Sequence, residues 1–277
     1  EIGSGLVGSE MCIRDSGIYM ALHCLILAGS NVLVALLGCR RIRQPLGGLF
    51  RTTDFSGWKA FQYICIGIGL QYVAVLIYAV LKYVGQGLGM EFPEVSFDYF
   101  QTGQSTMLVL LYTCILAPIT EELLFRGFLL KSLSVVSTRF GVIVTALLFG
   151  LMHGNVQQGI LGVLVGLFLG KIVIRHNSLT PSILAHIALN TSSTLISVLL
   201  ALLPENIGNV AILPLEFVVL AMAVMGVAFW FGKERKEPLP YPTQKQATRN
   251  RVFWSSPLLL LAFAALLGLM VYHAMAV

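Results

Sequence analysis

The stretch APITEELLFRGFLL, residues 117–130, sets two adjacent carboxylates and an arginine among apolar residues. Charge in such surroundings is costly unless it is paired. Glu122 and Arg126 are four residues apart, so on a helix they share a face and pair. Glu121 points about 100° away, by the 3.6-residue period, and is left without that partner. Glu121 is therefore the candidate for chemistry as a general base, with Glu122 and Arg126 as its support. Upstream, Pro118 is expected to break the preceding helix and start a new one. Thr120 would cap that helix, and the acids would lie in its first turn, where the helix dipole favours negative charge.

The rest of the chain explains why such a segment is apolar. Of 277 residues, 57% are hydrophobic and 11% charged, against about 25% charged in soluble domains. The mean hydropathy is +0.84. This excludes a soluble domain and implies an all-α, polytopic transmembrane bundle, multi-pass and integral to the membrane. Spanning a bilayer takes about 20 apolar residues. Candidate spans are 17–39, 58–81, 105–119, 140–154, 157–174, 179–203, 208–232 and 253–275. That makes about eight membrane helices, with 105–119 and 140–154 short, and 121–138 as an additional apolar helix. The expected organisation is N-terminal membrane helices over 17–104, a catalytic core over 105–203, and C-terminal membrane helices over 204–277. A proline-containing basic linker, 233–251, lies within the last of these.

The net charge of +5 follows topology and points to no nucleic-acid partner. Counted over alternate loops, 16 of the 18 Lys and Arg fall on one side, and only Lys82 and Arg14 fall on the other. That asymmetry fits eight crossings with the basic loops cytoplasmic and both termini outside. It also favours 121–138 as a cytoplasm-side or half-embedded helix. Residues 1–16 are set aside, because MCIRDS (Met11–Ser16) reads as a translated sequencing-adapter end. Such a scar is expected of a microbial source and hence of a bacterial plasma membrane. The cysteines at 12, 24, 39, 65 and 114 show no CxxC pair and read as apolar packing residues. Cys39, beside Arg40 and Arg41, is a candidate for acylation.

Other polar groups recur inside apolar spans. FGLMHGN places Phe149 and His153 four apart, and LAHIALN does the same for His186 and Asn190, so each pair shares a helix face. A neutral histidine there can take a proton, donate a hydrogen bond or bind a metal. Asn190 brings two amide hydrogens. If 105–138 dips inward at Pro118, Glu121, His153, His186 and Asn190 would share one cavity. His23 and His273 have no polar partner at helical spacing and read as packing residues, and His176 reads as a loop residue.

EELLFR (121–126), FGLMH (149–153) and HIALN (186–190) match EExxxR, FxxxH and HxxxN in order and spacing. The chain thereby resembles the CAAX protease and bacteriocin-processing (ABI/CPBP) family of intramembrane glutamic endopeptidases, in its bacterial form. The resemblance implies a peptide hydrolase acting on a peptide or membrane-protein substrate. Glu121 and His153 would activate a water, and His186 and Asn190 would stabilise the oxyanion. Glu122, Arg126 and Phe149 would support them. It implies no cofactor, although Glu, two His and Asn would also suit Zn²⁺. Two further readings stand beside it: a non-proteolytic bacteriocin-immunity or partner-binding protein, and a proton-coupled transporter.

Overall fold

The computed structural model describes residues 17–52, 54–89, 103–135 and 137–232, with residues 264, 265, 267 and 268. Among these, all regular structure is helical. In chain order the helices are α1 (Gly17–Arg41), α2 (Gly57–Gly87), α3 (103–134), α4 (Thr138–Leu151), α5 (Val156–His176), α6 (Thr180–Leu202), α7 (Glu205–Ala211) and α8 (Leu213–Gly232). Six of them, α1, α2, α3, α5, α6 and α8, are long and apolar enough to cross a bilayer. α4 is apolar but has only 14 residues. The protein is a polytopic helical bundle. The expected span at 253–275 lies almost entirely outside the described residues, as does linker 233–251.

The segment around Pro118 differs from expectation. Residues 105–119 and 121–138 are not two elements. α3 runs unbroken through Pro118, and 121–134 is its second half rather than a half-embedded helix. A proline inside an α-helix lacks the N–H bond and presses its ring on the carbonyl four residues back. Here the turn before it widens into a π-helix over Tyr112–Leu116, in which the Ala117 N–H reaches the Tyr112 carbonyl. Such widened turns accommodate an interruption without ending a helix. Thr120 is consequently no cap; its hydroxyl donates to the Ala117 carbonyl at 3.2 Å. The acids lie in mid-helix rather than in a first turn, and a second π stretch follows over Leu123–Leu130.

Close helix approach organises the bundle. On α5 the sequence GILGVLVGLFLG repeats glycine every three or four residues from Gly159 to Gly170, one stripe on one face. That stripe meets α4: a Cβ on Gly162 would lie 2.8 Å from the Gly150 Cα, and one on Gly166 would lie 3.0 Å from the Ala146 Cα. Small residues serve membrane helices this way because lipid offers no hydrophobic drive to pack them. α2 and α8 use the same device, Gly226 seating against the Cys65 carbonyl. Tyr63, Ile68, Phe168, Leu169 and Leu189 fill the core between α2, α5 and α6. Outward-facing residues such as Ile26, Leu76 and Phe217 are exposed, as a lipid-facing surface requires.

The basic segments gather at one end. The Leu179 N–H donates to the Leu49 carbonyl at 2.7 Å, and the Thr180 hydroxyl donates to the Phe50 carbonyl at 2.9 Å. Lys131 donates to the Asn177 side chain. His176 is not a free loop residue: it closes α5, lies 2.9 Å from the Tyr63 hydroxyl and stacks edgewise on Phe55. Cys39 is 1% exposed, and its thiol faces the Gly127 carbonyl, which closes it to acylation. Arg126, counted among the basic loop residues from sequence, lies inside the bundle at 0% exposure.

Replacing Gly162 with leucine is expected to destabilise the bundle by about 1–3 kcal/mol, the usual cost of overfilling a packed interior. The measurement is the thermal midpoint of the detergent-solubilised variant beside a Gly29→Leu control, at a position with nothing within 4 Å of an added Cβ.

Candidate active site

Two helices and one turn carry the polar cluster. Mid-α3 supplies Glu121, Glu122 and Arg126; α6 supplies His186 and Asn190; the turn after α4 supplies His153. Glu121, Phe149, His153, His186 and Asn190 all line one cavity of about 740 Å³. The inward dip expected at Pro118 is not needed, because α3 brings Glu121 to this cavity as a continuous span.

The supporting pair is fully sealed. The Arg126 Nη1 donates to the Glu122 Oε1 at 2.8 Å with both side chains at 0% exposure. The Arg126 Nη2 donates to the Gly166 carbonyl at 3.3 Å. That approach exists because Gly166 has no side chain; a Cβ there would lie 3.4 Å from the same nitrogen. The face of Phe149 covers the guanidinium at 4.5 Å, a cation–π contact.

Phe149 is the hinge of the site. Its ring meets Phe125 and His153 edgewise at 5.1 Å and His186 at 5.7 Å. Its carbonyl lies 2.8 Å from the His153 Nδ1. A carbonyl only accepts, so Nδ1 carries the hydrogen, and the lone pair of a neutral ring sits on Nε2. The four-residue spacing of FxxxH thus sets a tautomer as well as a position. The turn is held by Gly154, at φ +71°, a conformation that favours glycine. Asn155 completes it, accepting from the Gln158 N–H at 2.8 Å and donating to the His153 carbonyl at 3.2 Å.

His186 bridges the two acids. Its Nδ1 lies 3.2 Å from the Glu122 Oε1, and its Nε2 lies 3.8 Å from the Glu121 Oε2. The first is within hydrogen-bond reach and the second is longer than a hydrogen bond. Glu121 keeps 12% side-chain exposure against 0% for Glu122, so the two neighbours separate into a cavity group and a buried anchor. The Asn190 amide donates to the Thr113 carbonyl at 3.0 Å. That carbonyl is available because of Pro118. In the widened turn Ala117 bonds one residue further back, to Tyr112, and the next donor in that pattern would be the N–H that proline lacks.

Thr113 and Asn155 were not singled out from sequence. Asn155 carried a signal, since Gly-Asn ahead of an apolar run marks a turn followed by an N-cap. Thr113 carried none without knowledge of the π turn. Among the described residues no three His, Cys, Asp or Glu side chains converge as a metal-binding group.

Removing one member of the sealed pair strands a charge in the interior. Glu122→Gln and Arg126→Met are each expected to cost about 3–5 kcal/mol, and the double variant less than the sum of the two. Thermal unfolding of the four proteins in one detergent checks this.

Comparison with known proteins bears on this same segment. No curated protein and no solved structure matches the chain. Residues 103–192 match the family model Rce1-like, described as type II CAAX prenyl endopeptidase Rce1-like, an interval that contains all three motifs. That segment, which holds the Glu, both His and the Asn of the cavity, is thus similar to the Rce1-like, CAAX-type membrane proteases.

Proposed function

We propose that the protein is an intramembrane glutamic endopeptidase that hydrolyses a peptide bond with a water activated by Glu121 and His153. The observation that carries this reading is the cavity that Glu121, His153, His186 and Asn190 line together, with the His153 Nδ1 tied to the Phe149 carbonyl. That tie leaves the Nε2 as the ring's base. Glu121 takes the proton of the water as its oxygen attacks the peptide carbonyl carbon, and His153 holds the water by its Nε2. The carbonyl oxygen becomes an oxyanion, and His186 and Asn190 serve it as donors. The His186 Nδ1 is engaged by the ionised, arginine-paired Glu122, so its Nε2 donates only as imidazolium. Asn190 has two amide hydrogens, one held by Thr113 and one for the oxyanion. Collapse of the tetrahedral adduct breaks the C–N bond, and Glu121 returns its proton to the departing amine. The reading is metal-free, and the substrate is a peptide or a membrane-protein segment.

Glu121→Gln keeps the shape and removes the base. It is expected to lower hydrolysis about 10²–10⁴-fold, the usual contribution of a positioned acid–base group, with an unchanged unfolding midpoint. The assay uses purified protein in liposomes and a pooled peptide library that includes prenylated members, with and without chelator. Products that persist in the variant would sink the reading, and products lost to chelation alone would replace it with a metal-dependent one.

A further inference from the structure

The cavity does not lie midway between the two ends of the bundle. It runs from mid-bundle, at Glu121 on α3 and at His186 and Asn190 on α6, into the half away from the basic segments. From α2 it takes Gln71 and Val75, at and just beyond the midpoint from Lys59, and from α3 it takes residues from Glu121 back to Val109, away from Lys131. Asn155, Gln157 and Gln158 contribute at the start of α5, whereas Lys171 and Arg175 lie at its other end. On α6 the lining runs from His186 outward through Ser193 to Ser197, away from Thr180.

The opposite half is closed by a dry core. Leu49, Leu130, Val173 and Leu179 are each 0–1% exposed and form one cluster with Cys39 and Val142. Along α3 the order is Glu121, Glu122, Arg126, Leu130, so the sealed pair stands between Glu121 and this cluster. A polypeptide arriving from the basic end would have to open that core to reach the reacting groups.

The basic end is the cytoplasmic one by the positive-inside rule. Among the described residues, leaving out the buried Arg126, nine of the ten Lys and Arg belong to that end, Lys82 being the tenth. The contacts among Leu49, Phe50, Lys131, Asn177 and Thr180 hold the loops of that end together.

We propose that the active-site cavity is served from the non-cytoplasmic face, and that its substrate is a polypeptide segment on that face: an exported peptide, or the part of a membrane protein just outside its span. The polar lining toward that face is uncharged, with Gln71, Gln157, Gln158, Ser193 and Ser197. Amides and hydroxyls of this kind pair with the N–H and C=O groups of an extended chain, which must be satisfied away from water. A protein lipidated in the cytoplasm would be on the wrong side. This inference rests on the protease reading for the word substrate, but the sidedness of the cavity does not.

The test separates the two. In the full chain, with its five native cysteines replaced by alanine, single cysteines are placed at Ser193→Cys, Gln157→Cys and, on a basic loop, Arg43→Cys. Right-side-out and inside-out membrane vesicles are treated with a membrane-impermeant maleimide. The expected result is labelling of Ser193→Cys and Gln157→Cys only in right-side-out vesicles, and of Arg43→Cys only in inside-out vesicles. Labelling of both cavity positions from the cytoplasmic side, alone or together with the outside, overturns the proposal. The labelling needs no turnover, so a failure of the Glu121→Gln assay is read independently. If that assay succeeds, peptide enclosed on the non-cytoplasmic side of sealed proteoliposomes is expected to be cleaved. Cleavage confined to peptide on the cytoplasmic side also overturns the proposal.

Discussion

The 2.8 Å pair between Glu122 and Arg126, sealed from solvent on both sides, is the constraint from which the site is built. Two opposite charges in a membrane interior are tolerable only with good geometry and further hydrogen bonds. Each supplementary contact of this pair recruits another element. Gly166 brings α5, Phe149 brings α4, and His186 brings α6. The structural cost of burying an arginine therefore defines the relative placement of four helices, and Glu121 stands one residue away from it.

Being adjacent to a fixed group gives Glu121 its difference from Glu122. The two are chemically identical neighbours, but the helical rotation between them sends one to the arginine and the other to the cavity. His186 spans both, with one ring nitrogen at each carboxylate, so the anchor and the cavity carboxylate face the same imidazole.

Much of this was legible in the sequence, because it depends on spacing within one helix. Residues four apart share a face, and this identified Glu122 with Arg126, Phe149 with His153, and His186 with Asn190. Composition likewise announced the helical membrane bundle. What depended on two helices at once was not legible. The Asn190–Thr113 bond requires knowing that α6 lies beside the widened turn of α3. Pro118 was read as a break because a proline in an α-helix costs a hydrogen bond and a clash. The π turn removes the clash and hands the orphaned carbonyl to a side chain from elsewhere. Thr120 and the position of 121–138 were misread for the same reason, since both followed from an assumed helix start at Pro118. His176 was read from its polar neighbours, whereas its partner Tyr63 is 113 residues away.

The brevity of α4 has a consequence for the surrounding lipid. Its 14 residues rise only about 21 Å, against a hydrocarbon core of about 30 Å. A helix too short for its bilayer is accommodated by thinning of the membrane or by polar residues reaching outward. Asn155, Gln157 and Gln158 follow the turn directly and supply that reach. Thinning of the membrane over this helix would bring water toward the turn bearing His153. Bilayer thickness would then be a variable of the site itself, acting on the access of water without altering any contact between side chains.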